Sequence, residues 1–283
     1  MKTALVLEGG AMRGIYTAGV LDVFMDNNIE FDGVIGVSAG AIHGCSYVAK
    51  QKGRSIRYYK KYCNDKRFMS FFSLITTGSL VGEKFCYHDI PDELDPYDYE
   101  TFRNSETDFY AVSTDLETGK PVYAKCDDLK TQMDYLLASA SMPLVSKIVE
   151  VGGRKLLDGG VTDSIPVKAT QKLGYDRIVV VRTGEDGYVK SPEGNFLSDR
   201  MYRKYPQMVK AIRERHNMYN SQMKYVSELE EKGEILVIRP TRHVDIGRME
   251  KSVEKLEEMY NQGRTDAQSR LEEVISFISP QED

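Results

Sequence analysis

A chain of 283 residues with 41% hydrophobic content can bury a sizeable core, as one large domain or one domain plus an extension, which excludes a disordered polypeptide. Its formal net charge of −5 argues against nucleic-acid binding, because affinity for phosphate backbones ordinarily shows as a basic balance. Cys45, Cys63, Cys86 and Cys126 lack zinc-site spacing and disulfide-scaffold density, no export signal precedes the first apolar run, and no stretch nears the roughly 20 apolar residues that cross a bilayer, so the expectation is a cytoplasmic protein with reduced thiols.

Thr3 to Leu7 is a short strand pattern ending at Gly9-Gly10, and Ile15 to Asn28 carries apolar residues at helical spacing. Phe31 to Val37 is a second strand, broken by Ser38-Ala39-Gly40 before a small-residue helix from Ala41 to Lys50. Repeated strand, turn and helix predict parallel strands with crossover helices, whose functional loops share one sheet edge. Phe109 to Thr114 and Pro121 to Ala124 flank the turn Glu117-Thr118-Gly119, and a helix follows from Asp128 to Ala140. Gly152-Gly153 joins the strands Lys147 to Val151 and Arg154 to Leu157, delivering the chain to Asp158-Gly159-Gly160. Arg177 to Arg182 is a buried strand, Asp186 to Tyr205 is polar with prolines and glycines, Gln207 to about Lys232 is a long helix, and Ile235 to Arg239 a last strand. The tail from Arg248 to Ile278 reads as one or two surface helices interrupted near Gly263.

Gly36-Val37-Ser38-Ala39-Gly40 fits G-x-S-x-G, in which small neighbours expose a serine on a strained strand-to-helix turn. Ser38 is therefore the candidate nucleophile, with free helix amides behind it to meet negative charge. Gly9-Gly10-Ala11-Met12-Arg13-Gly14 is a turn whose backbone can approach an oxyanion closely. Gly9, Gly10 and Ala11 are the candidate donors, and Arg13 either braces the loop or adds charge. A rival reading is dinucleotide binding, with Glu30 or Asp32 as the ribose-binding acid; Ala11 breaks G-x-G-x-x-G, and the serine elbow would go unexplained.

A serine hydroxyl needs a base. His43, five positions after Ser38 on the same helix, points away from it and reads as a satisfied helix histidine; His88, His216 and His243 read as surface residues. Asp158 is the candidate instead, since a carboxylate in a partly dry site is more basic than in water.

The three elements, Glu8 to Gly14, Gly36 to Gly40 and Asp158-Gly159-Gly160, together resemble the patatin-like phospholipases, and Ala138-Ser139-Ala140-Ser141-Met142-Pro143 is similar to the stretch that precedes that family's aspartate. The resemblance implies a three-layer α/β/α sandwich with a mostly parallel sheet, a Ser38–Asp158 dyad without histidine, and hydrolysis of fatty-acyl esters in phospholipids or related lipids. It also implies no metal or organic cofactor. Ala11 departs from the glycine common in the family's oxyanion loop. The expected division is a catalytic domain over residues 4–172 and an extension over 173–283, whose strands near 177–182 and 235–239 join the same sheet. A non-catalytic lipid-binding or regulatory protein on the same fold is the alternative, and sequence does not separate a hydrolase from an acyltransferase.

Lys50, Lys52, Arg54, Arg57, Lys60, Lys61, Lys66 and Arg67 crowd one stretch, interleaved with Tyr58, Tyr59, Tyr62 and Phe68 and followed by Met69, Phe71, Phe72, Leu74 and Ile75. A solvated helix face leading into core aromatics is the plainer reading. A surface resting on anionic lipid headgroups at the inner membrane face is the other.

Overall fold

The computed structural model of the chain describes residues 1–192 and 196–279. Among them, eight strands form one sheet: β1 (Thr3–Leu7), β2 (Gly33–Val37), β3 (Asp108–Asp115), β4 (Lys120–Lys125), β5 (Val149–Val151), β6 (Arg154–Asp158), β7 (Arg177–Val181) and β8 (Ile235–Ile238). The order is β5-β6-β3-β2-β1-β7-β8, with β4 also paired to β3. β3, β2, β1, β7 and β8 run parallel, while β4 and β6 are antiparallel to β3 and β5 to β6. The helices are α1 (Ile15–Asp26), α2 (Ala39–Val48), α3 (Arg54–Tyr62), α4 (Phe71–Thr77), α5 (Tyr99–Arg103), α6 (Leu129–Ser139), α7 (Val167–Lys172), α8 (Phe196–Met201), α9 (Pro206–Glu231), α10 (Val253–Ser269) and α11 (Leu271–Ile278).

The central strands are apolar on both faces, as parallel strands sandwiched by helices require. Leu5, Leu7, Val179, Val181, Leu236 and Ile238 turn one way, into a core with α1, α2 and α10. Their neighbours Ala4, Val6, Val180 and Val237 turn the other way, into a core with α7 and α9. The result is a three-layer α/β/α sandwich.

Pairing along β3 positions the site. β4 occupies one edge of β3 from Tyr110 to Asp115, so β2 and β6 must share the other. β2 arrives in parallel and stops with Val37 opposite Val112; β6 arrives antiparallel and stops with Asp158 opposite Ser113. Two strands far apart in the chain thus end head to head on adjacent residues of one edge, delivering Ser38 and Asp158 to the same place.

Two sequence expectations change. The tail is not interrupted near Gly263: α10 runs through it to Ser269, and the break falls at Arg270. Nor is α10 merely a surface helix, because Leu256, Met259, Gly263 and Ala267 are buried against α1. A Cβ on Gly263 would lie 2.1 Å from Tyr16 O, and one on Gly19 would lie 2.1 Å from Tyr260 O, so each glycine admits the other helix's backbone. The polar segment between Asp186 and Tyr205, for which the sequence suggested no element, contains α8. Among the described residues no helix is long and apolar enough to cross a membrane.

Overpacking of this kind costs about 1–3 kcal/mol. Gly263→Ala is expected to lower the urea midpoint of unfolding, and an unchanged midpoint would show that the α1–α10 contact is looser than described.

Candidate active site

Ser38 sits between β2 and α2 with φ 54° and ψ −123°, a conformation that costs a non-glycine residue about 1–3 kcal/mol. The two glycines of the pentapeptide make room for it. A Cβ on Gly36 would meet Ala41 Cα at 2.4 Å, and one on Gly40 would meet Leu7 O at 2.4 Å. The turn is held from behind by Ser139, at the end of α6, whose Oγ accepts from Ser38 N (2.9 Å) and donates to Val112 O (2.6 Å). Two residues on, Ser141 O accepts from Asp158 N (2.8 Å). The Ala138 to Pro143 stretch therefore ties the serine turn and the aspartate turn to one another.

Asp158 is buried at the last position of β6. Its Oδ1 accepts from Gly160 N (2.7 Å), and its main-chain oxygen accepts from Thr114 Oγ1 (2.9 Å). Gly159 has no room for a side chain, since a Cβ there would lie 2.3 Å from Val112 O. Burial pushes the Asp158 carboxyl above the usual carboxylate range, opposed by a hydrogen bond from the Ser38 hydroxyl, the positive charge of Arg215 and the Gly160 amide. The carboxylate is thus more basic than one in water and faces the serine.

The glycine-rich loop closes over the same point. A Cβ on Gly9 would come within 2.9 Å of Ser38 Cβ, so the loop backbone lies directly against the serine. Among the described residues the amides of Gly9, Gly10 and Ala11 meet no protein acceptor, as an anion-receiving turn requires. Ala11 has φ 50°, in the left-handed region that glycine enters without cost, which explains physically why glycine suits this position. Thr183 Oγ1 donates to Gly9 O (2.8 Å), and buried Glu8 accepts from Thr183 N and Tyr219 OH, both at 2.8 Å. Arg13 lines the pocket beside Ser38, its buried Nε without a hydrogen-bond partner among the described residues, and Gly14 backs onto Ala39 and His43.

None of the four histidines reaches Ser38. His43 is buried, with Nδ1 3.0 Å from Ser55 Oγ and its ring against Tyr59, and burial lowers its pKa to about 3. It is only half satisfied, because Nε2 has no partner among the described residues. His88 and His243 are exposed, His243 beside Glu185, whereas His216 is half-buried on α9 with Nδ1 at Arg213 O. The acids of the dinucleotide reading are structural: Asp32 accepts from Thr3 N (2.6 Å), and Glu30 pairs with Lys50 at the surface.

Ser38 stands where two pockets meet. One is apolar, with Ile42, Tyr58, Phe68, Ile90 and Leu136 in its wall. The other holds Asp158, the glycine loop and the cations Arg13, Lys190, Arg215 and Arg248. Sequence reasoning marked Ser139 only as part of the stretch before the aspartate, without a role, and had no signal for Thr183, Arg215 or Tyr219, because each acts across more than 100 positions of chain or from an ordinary helix face.

A three-layer α/β fold with a serine elbow opposed to a buried aspartate defines a class of serine–carboxylate sites. The chain belongs to the patatin-like phospholipase family, whose model matches residues 5–170; residues 205–279 match a second family, described as a domain of unknown function. It is 30% identical over 187 residues to an uncharacterized protein YjjU of Escherichia coli, covering 64% of this chain and 52% of that one. It is 27% identical over 202 residues to an uncharacterized NTE family protein of Mycobacterium bovis (70% and 54%), and 27% identical over 195 residues to lysophospholipase nte1 of Aspergillus oryzae (65% and 12%). The chain therefore spans about half the length, or less, of these curated relatives. The crystal structure of VipD from Legionella pneumophila overlaps it with a TM-score of 0.45 at 13% identity, over 96% of this chain and 67% of that one.

Removing the Ser139 hydroxyl leaves Ser38 N and Val112 O unpaired in a dry site, which costs about 1–3 kcal/mol. Ser139→Ala is expected to lower stability by that amount in urea denaturation and to slow fluorophosphonate labelling of Ser38. Because the Asp158 pKa is raised in the folded chain, its contribution to stability is full at low pH and is lost as pH rises through the folded value. Asp158→Asn should therefore melt higher than the unsubstituted chain near neutral pH, with the difference shrinking on acidification.

Proposed function

We propose that this chain is a serine acyl hydrolase that cleaves fatty-acyl esters of phospholipids or related lipids, with Ser38 as nucleophile, Asp158 as general base and the amides of Gly9, Gly10 and Ala11 as the oxyanion hole. The observation that carries this reading is the meeting of a strained serine, a buried carboxylate and loop amides that meet no acceptor among the described residues, at the junction of an apolar and a cationic pocket. Asp158 takes the Ser38 proton as Oγ bonds to the ester carbonyl carbon, and the loop amides hold the resulting oxyanion. When the intermediate collapses, the carbon–oxygen bond to the leaving alcohol breaks and Asp158 returns the proton to it. Water then attacks the acyl-enzyme, again giving its proton to Asp158, and the fatty acid leaves as Ser38 recovers its hydrogen.

The two pockets divide the substrate by polarity. The acyl chain lies among Ile42, Tyr58, Phe68 and Leu136, and the alcohol half faces Arg13, Lys190, Arg215 and Arg248. The basic, aromatic stretch splits in two. Tyr58, Tyr59, Tyr62 and Phe68 are core residues, whereas Phe71, Phe72 and Ile75 on α4 are 67%, 53% and 84% exposed, with Lys66 over the Phe72 ring. Such a group beside cations supports peripheral contact with an anionic bilayer.

Ser38→Ala is expected to abolish fluorophosphonate labelling and ester turnover, and Asp158→Asn to reduce turnover by about 10²-fold or more. An unlabelled but folded chain would favour a lipid-binding role, and near-normal esterase activity in Asp158→Asn would remove the dyad. Product analysis with competing acceptor alcohols separates hydrolysis from acyl transfer. Replacing Phe71, Phe72 and Ile75 by Ser should weaken sedimentation with anionic vesicles; unchanged sedimentation would discard α4 as the contact.

A further inference from the structure

The α9 helix presents Arg215, Tyr219 and Gln222 at helical spacing, on one stripe. Each holds a different part of the site. Tyr219 OH donates to Glu8 Oε1 (2.8 Å), at the root of the glycine loop. Gln222 Oε1 accepts from Ser164 N and Ile165 N (both 3.1 Å), and its Nε2 donates to Asp163 Oδ1, so it fastens the chain just after the aspartate turn. Arg215 Nε donates to Gly160 O (2.7 Å), on the residue whose own amide donates to Asp158 Oδ1. All three lie in the 205–279 segment that matches a domain of unknown function, outside the 5–170 match.

We infer that this segment completes the active site, and that Arg215 is its positioning residue: it fixes the Asp158-Gly159-Gly160 turn from outside and sets a positive charge beside the carboxylate that takes the serine proton. The inference rests on the hydrolase reading above. Titratable and charged groups from several elements surround the pocket that holds Asp158: Glu8 and Arg13 from the glycine loop, Tyr188 and Lys190 after β7, Tyr219 on α9, and Arg248 before α10. Tyr87, from the π-helical turn Phe85–Leu94, also feels the Asp158 charge. Among the charges acting back on Asp158, that of Arg215 opposes the effect of burial. Without it a buried carboxylate keeps its proton to higher pH and is a base over a narrower range.

The test is the pH dependence of kcat/KM for p-nitrophenyl butyrate, a short neutral ester that asks nothing of headgroup recognition. Arg215→Gln in the full chain should lower kcat by on the order of 10²-fold with little change in KM, as a slightly misplaced catalytic group does. It should also move the acidic limb up by about one pH unit. Arg215→Lys should return the limb to its original position while kcat stays reduced, because an ammonium restores the charge but not the directed Nε bond that holds Gly160. An unmoved limb in Arg215→Gln overturns the inference, whatever activity remains. Should Arg215→Gln fail to fold, Arg215→Lys decides: a lowered kcat with an unmoved limb supports it, and an unaltered kcat overturns it. A wild-type chain that neither labels with fluorophosphonate nor turns over ends the hydrolase reading and this inference together, whereas an active wild type with an unmoved limb ends only the second.

Discussion

Val112 and Ser113 are neighbours on one edge of β3, and everything at the site depends on two strands ending there from opposite directions. β4 fills the other edge, so β2 and β6 have a single line of backbone groups to share. Where they stop, the chain must turn away at once, and it does so through Ser38 on one side and Asp158-Gly159 on the other. The register is unforgiving, because a slip of one residue in β6 would send the Asp158 side chain to the opposite face of the sheet. Ser139 and Ser141 reinforce the arrangement by bonding to the main chain of both turns.

The site is also where the chain departs from local preference. Ser38 and Ala11 hold positive φ angles, Asp158 and Glu8 are buried carboxylates, and the loop amides meet no acceptor among the described residues. Strain and desolvation of this kind persist only where surrounding structure over-determines them. Here the determination comes from two sides: the apolar central strands, which are almost wholly buried, and the polar stripe of α9. The carboxylate made basic by its dry setting is offset in part by a guanidinium from a segment more than 50 residues further along the chain. The backbone geometry and the electrostatic setting of Ser38 are thus both products of long-range contacts.

Much of the architecture was legible beforehand. The strand runs at Thr3, Phe109 and Arg177 are short and apolar, and Gly152-Gly153 announces its hairpin because both residues take positive φ. Gly263 misled, because a glycine inside a helical pattern reads as a weak point. Its missing side chain instead lets the backbone of α1 approach, a reason invisible to a local window. The tyrosines of α3 and the phenylalanines of α4 looked like one basic, aromatic stretch, yet the former are core and the latter exposed.

By itself the sequence determined the strand-turn-helix units, the three glycine-bearing motifs and the residue types able to attack, to accept a proton and to receive an oxyanion. These are properties of a few consecutive residues, set by side-chain bulk and backbone freedom. Only the tertiary structure decided that Ser38 meets Asp158 across the end of β3, that Ser139 pins the turn, and that Arg215, Tyr219 and Gln222 close the site from the C-terminal segment. Those contacts join residues tens to hundreds of positions apart through single hydrogen bonds, which impose no period and no composition on the chain that carries them.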